Sequence, residues 1–234
     1  MTALGLPHLH LRTVDSTNAR AQRLAAVGAP HGTLVTTDAQ VAGHGRQGRA
    51  WSAPPGGLAC SLVLRDPPRL LPMLAALAVA EVAEALDAAG REAAIKWPND
   101  VLLEGRKVAG ILAEGRPQEG WVVLGIGINV AVAPDALPPD VRALATTLGA
   151  APADVPRARD LLVAALARRL AAPETDAIAD YRVRDALLGR EIAWSDGRGT
   201  ALGVADDGRL RVRDEHGVER LLDAGEVHLG TTAG

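Results

Sequence analysis

Gly120–Val130 reads Gly-Trp-Val-Val-Leu-Gly-Ile-Gly-Ile-Asn-Val, and the rest of the chain arranges itself around it. A period of two puts Val122, Leu124, Ile126, Ile128 and Val130 on one face of a strand. The other face carries Val123, Gly125, Gly127 and Asn129. Two glycines in a strand mark close backbone packing or a bulge. Equally, they can make a smooth floor for a flat ligand, with an amide at its end. The pattern alone leaves both readings open.

Working outward, Leu71, Leu74, Ala78, Val82 and Ala85 recur at helical spacing within Leu70–Ala89, and Gly90 ends the run. A helix apolar over so much of its surface should lie across a sheet. Asp15-Ser16-Thr17-Asn18 reads as the cap of a helix over Ala19–Val27. Gly32–Gln40 and Gly57–Leu64 read as strands, as do the shorter Ala93–Trp97, Val101–Leu103 and Lys107–Glu114. Ala131–Pro156, rich in Ala and Pro, predicts mostly loop, and Arg157–Ala171 and Thr175–Leu187 predict helices. After Gly189 come four short apolar runs divided by Ser-Asp-Gly, Asp-Asp-Gly and Glu-His-Gly, the pattern of a small all-β meander or barrel. The expected division is therefore residues 1–186 and 187–234.

The 48% hydrophobic content is ample for a buried core, but with no Phe and one Tyr the packing falls to Leu, Val and Ala. A net charge of −3 with no long basic run argues against nonspecific nucleic-acid binding. No basic-then-apolar leader opens the chain, and Glu81 and Glu84 interrupt the apolar run near Leu74–Val82. A cytoplasmic protein without membrane contact is expected. The one cysteine, Cys60, alternates with Leu58, Leu62 and Leu64 and reads as a small buried hydrophobe. The histidines show no metal-ligand spacing.

Two segments carry chemistry. Gly43–Trp51, Gly-His-Gly-Arg-Gln-Gly-Arg-Ala-Trp, joins glycines that admit a close ligand, arginines that grip phosphate and an indole face. Lys96-Trp97-Pro98-Asn99-Asp100 holds one of only two lysines, the other being Lys107. By itself it reads as a strand ending in a tight turn. Together, a lysine at a strand end and an arginine–glycine loop could face one anionic ligand from two sides.

Gly43–Trp51, Lys96–Val101, Lys107–Leu112 and Gly125–Val130, in this order, closely resemble the biotin–protein ligases over about residues 13–130. The meander after Gly189 resembles that family's C-terminal Src-homology-3-type barrel. The resemblance implies an α+β fold: a mixed β-sheet with helices like the class II aminoacyl-tRNA synthetase core, plus the small barrel. It implies biotin and ATP as substrates, Mg2+, biotinyl-5′-AMP as intermediate, and transfer to a lysine of a biotin carboxyl carrier protein, as of acetyl-CoA carboxylase. Lys96, Arg46 and Arg49 match the catalytic positions. Ser16, Thr17, Gln40, Gly43, Arg46, Lys96, Gly110, Gly125 and Gly127 match biotin contacts. Arg46, Arg49, Trp51, Lys96 and Asn129 match ATP contacts, Trp51 as the ring that stacks on adenine.

Lys107 reads equally as an exposed strand opener or a phosphate contact. Asn99 and Asp100 suit turn formation better than binding magnesium, whose ligands the residues do not name. His44 stands where many relatives have arginine, so it is not counted as a phosphate ligand. The chain begins almost at the catalytic region, so the DNA-binding domain of bifunctional relatives, and repression of biotin genes, are not expected. A homodimer stays open. A lipoate–protein ligase of the same fold, or a nonenzymatic nucleotide- or RNA-binding module, are the alternative readings.

Overall fold

A seven-stranded mixed sheet carries the Gly120–Val130 segment near its centre. The computed structural model describes residues 3–51, 53–223 and 227–229. In chain order the elements are β1 (His8–Val14), α1 (Thr17–Ala26), β2 (Leu34–Gln40), β3 (Gly57–Arg65), α2 (Leu71–Leu86), β4 (Ala93–Lys96), β5 (Asp100–Leu103), β6 (Arg106–Arg116) and β7 (Trp121–Asn129). Then follow α3 (Pro139–Arg142), α4 (Val155–Ala171), α5 (Glu174–Val183), β8 (Glu191–Trp194), β9 (Gly197–Val204), β10 (Leu210–Asp214), β11 (Glu219–Leu222) and β12 (His228–Leu229).

The large sheet runs β1-β2-β3-β7-β6-β5-β4. Only β1 and β2 pair in parallel; the other neighbours are antiparallel. β1, not read from the sequence although Leu9 and Leu11 alternate with His8, His10 and Arg12, is an edge strand with a mostly solvated surface. The stretch between β7 and α4 is loop broken by the four-residue α3 and short 3₁₀ turns.

The alternation in β7 becomes two packed faces. Leu124, Ile126, Ile128 and Val130 join the main core, while Val123 and Trp121 pack with Ala21 and Ala25 of α1. α2 is buried nearly all round because it lies between the sheet and α4. Arg168 and Arg169, at the end of α4, pair with Glu81 of α2 at 2.7 and 2.6 Å, and Arg169 also pairs with Asp180 of α5. Cys60 is buried in the main core, and burial pushes its thiol up to about 12, so it stays an unreactive packing group.

The five strands after Gly189 form a second, antiparallel sheet in the order β11-β10-β9-β8-β12. Its inner residues Ile192, Ala201, Val204, Leu210, Val212 and Val227 belong to the same apolar cluster as Ile95, Trp97 and α2. The two sheets thus share one continuous core.

Asp185, in the connection between them, bridges in parallel to Ile95 of β4. Burial raises its carboxyl pKa. The folded chain then keeps a proton that the unfolded chain has released above its ordinary value of about 3.9. With more protons bound in the folded state, stability falls as pH rises through that window. Asp185→Asn cannot ionise and is expected to lose this decline. Thermal melts of both proteins from about pH 4 to pH 8 check it, and parallel slopes would refute it. No described helix is long and apolar enough to cross a membrane.

Candidate active site

The start of α1 is a buried polar knot. Ser16 caps the helix, its hydroxyl accepting from Ala19 N–H at 3.3 Å. Thr17 donates from both its N–H and its hydroxyl to Gln40 Oε1, at 2.9 and 3.1 Å. Ser61 Oγ of β3 lies 2.8 Å from Thr17 Oγ1 and 2.6 Å from Asn18 Oδ1, and its single proton serves one of them. Asn18 and Gln22 donate to Glu114 Oε2 of β6 at 2.8 and 3.2 Å. On its other oxygen, Glu114 meets His44 Nε2 at 3.5 Å.

Asn18, Gln22, Ser61 and Glu114 are the polar residues of this knot to which sequence reasoning gave no site role. Strand alternation contained a signal for one of them: Glu114 lies four residues from Gly110 and so shares its face. Ser61 pairs in register with Gly125, a relation that only the sheet reveals.

Gly43–Trp51 is a small closed hairpin. His44 and Ala50 face each other, Gly45 N–H donates to Arg49 O at 2.6 Å, and Trp51 N–H donates to Gly43 O at 2.9 Å. Its tip, Arg46–Gly48, is one 3₁₀ turn with positive φ at Gln47 and Gly48. Gly43 is required by close approach, because a Cβ there would overlap the Gln40 amide.

The hairpin lays Trp51 on the glycine floor of the sheet. A Cβ at Gly127 would overlap the indole, and one at Gly110 would stand 3.1 Å from it. Gly125 is covered instead by the Asn18 carboxamide. Lys107 Nζ stands 5.3 Å from the Trp51 ring centroid and pairs with Asp100 Oδ1 at 2.6 Å. Lys107 is therefore neither a bare strand opener nor a group displayed to solvent. Asn129, at the end of the floor, is buried and donates to Thr146 O at 2.9 Å, fixing the loop after β7.

Lys96 ends β4 and is half-buried. The turn that follows contains a cis Trp97–Pro98 bond. Asn99 secures it by donating to Ile111 O at 2.8 Å, which is the turn-forming role read for it. Lys96, Arg46 and Arg49 line one small open cleft of about 50 Å³, together with Pro98, Asp100 and Val227. The structure thus brings the lysine turn and the arginine hairpin to one place. Ser16, Thr17, Gln40, Trp51 and the floor glycines Gly110, Gly125 and Gly127 lie outside the lining of that cleft; Lys107, beside the Trp51 ring, ties them to it through Asp100. Among the described residues no group of three histidine, cysteine or carboxylate side chains is placed to hold a metal ion.

A mixed sheet followed by a small antiparallel sheet is a fold shared with solved biotin protein ligases. The Aquifex aeolicus enzyme in complex with biotin and ATP matches with a TM-score of 0.82 at 27% identity, over 95% of this chain and 98% of that one. The profile of the biotin/lipoate A/B protein ligase family matches residues 11–130, and that of the biotin protein ligase C-terminal domain matches residues 187–230. The chain belongs to the biotin/lipoate A/B protein ligase family. It is 38% identical to a biotin–[acetyl-CoA-carboxylase] ligase of Paracoccus denitrificans, over 94% of this chain and 99% of that protein. It is 34% identical to the bifunctional ligase/repressor BirA of Bacillus subtilis, over 93% of this chain and 72% of that protein.

Proposed function

We propose that the protein is a biotin–[acetyl-CoA-carboxylase] ligase. The biotin carboxylate attacks the α-phosphate of ATP, giving biotinyl-5′-AMP and releasing pyrophosphate. A lysine amine of a biotin carboxyl carrier protein then attacks the mixed anhydride, forming the amide and releasing AMP. ATP dependence points to the cytoplasm.

The observation that carries this reading is the convergence of Lys96, Arg46 and Arg49 on one cleft. A carboxylate approaching a triphosphate meets like-charge repulsion, so the reaction depends on positioning and fixed cations. Lys96 stands between the biotin carboxylate and the α-phosphate, and Arg46 and Arg49 hold the phosphate side. Movement of the hairpin frees the floor at Gly110 and Gly127 for a ring system, lets Trp51 stack on adenine and excludes water from the acyl-adenylate. Magnesium suits this cleft as an ion carried in on the triphosphate. It keeps most of its waters and needs few protein ligands, and the one carboxylate among the described lining residues, Asp100, already pairs with Lys107.

The polar knot of Thr17, Asn18, Gln40, Ser61 and Glu114 favours biotin over lipoate. A ureido ring can exchange donors and an acceptor with such a wall, whereas a dithiolane offers nothing in return for the bonds it would displace. Incubation with biotin or lipoate and ATP, with hydroxylamine trapping, tests the reading. Biotinyl hydroxamate is expected; lipoyl hydroxamate would transfer the chain to the lipoate ligases, and no product would favour a nonenzymatic module.

A further inference from the structure

Residues from the C-terminal part of the chain hold both neighbours of Lys96. On the preceding residue, Ile95 N–H donates to Arg184 O at 2.7 Å, and Ile95 O accepts from Ala186 N–H at 3.0 Å. On the following residue, the buried Trp97 donates its indole Nε1–H to Gly208 O at 3.1 Å. Gly208 sits in the turn between β9 and β10 with φ +83°, and a Cβ there would stand 2.7 Å from Leu70 Cδ2. Arg182 pins the same turn, donating to Val204 O at 3.1 and 2.9 Å and pairing with Asp206 at 2.8 Å. Val227, which precedes β12, lines the cleft itself.

β4 has four residues and lies at the sheet edge, and Lys96 is its last. A terminal residue of an edge strand frays unless neighbours hold it. Lysine adds a flexible four-carbon stem, so its ammonium is placed only as well as its backbone is. Electrostatic stabilisation requires the donor to be fixed before charge develops.

We propose that Trp97 is a positioning residue for adenylation. Its indole N–H, anchored on Gly208 O, fixes the backbone from which Lys96 reaches the cleft. The inference rests on the role given to Lys96 above.

A double-mutant cycle tests it, with single-turnover formation of biotinyl-5′-AMP measured in the parent, Trp97→Phe, Lys96→Ala and the double variant. Trp97→Phe should slow the parent about tenfold. Any loss of biotin affinity should be smaller than the loss of rate, because the Thr17–Gln40 wall is built on α1 and β2. In the Lys96→Ala background the same change should alter the rate less than about twofold, since a residue acting through the ammonium has nothing left to position. Equal loss in both backgrounds, or the parent rate in folded Trp97→Phe, overturns the proposal. Gly208→Ala, which shifts the acceptor from the other side, must reproduce the slowing and carries the same cycle should Trp97→Phe not fold. No adenylate from the parent itself would instead overturn the ligase reading.

Discussion

Lys96→Ala is expected to slow biotinyl-5′-AMP formation by about 10²–10³, or about 2.7–4 kcal/mol of transition-state stabilisation, the range for loss of one preorganised donor. The side chain is half-buried beside two arginines, so its charge acts in a medium less screening than bulk water. The fold should survive. Lys96 pairs with Asp100 through the backbone, and the apolar cluster beneath it is built from Ile95, Trp97 and α2. Single-turnover kinetics beside a thermal melt separate the two effects. Adenylation at the parent rate would remove Lys96 from the chemistry.

Gly127→Ala is expected to weaken ATP and biotin binding together, by about 1–3 kcal/mol, roughly 5-fold to 150-fold in each apparent affinity, as overpacking does at a tightly filled site. The new methyl would occupy the place of the Trp51 indole. Trp51 is half-buried on a hairpin that folds on its own bonds, so the ring can lift off without unfolding the sheet. The loss should therefore appear in binding titrations, with a melting temperature close to that of the parent. Parental affinities in this variant would show that neither ligand uses the floor.

Much of the fold was legible in residue patterns. The two faces of β7, the all-round apolar α2, the Ser16 cap and the turn-divided strands after Gly189 each follow from local rules of period, capping and turn chemistry. β1 was not read, although Leu9 and Leu11 alternate with His8, His10 and Arg12; the run is short and its surface mostly solvated. The glycines of β7 were legible as one face, with packing and a ligand floor both open, but their covering was not: Trp51 reaches Gly127 across more than seventy residues of chain. Glu114 shows the same limit. Its position on the Gly110 face follows from alternation, while its partners Asn18, Gln22 and His44 come from α1 and the hairpin.

The sequence by itself determined which residue types stand where: an arginine–glycine–tryptophan loop, a lysine at a strand end and a strand with two glycines on one face. Such features depend on side-chain type and on neighbours a few residues away. Only the tertiary structure decided that Arg46, Arg49 and Lys96 open onto one cleft, and that the C-terminal sheet joins the main core and holds the lysine turn through Trp97 and Gly208. Those contacts join residues far apart in the chain. They exist because burying a shared apolar interior forces the two sheets together, and no local pattern encodes which distant partner each group will meet.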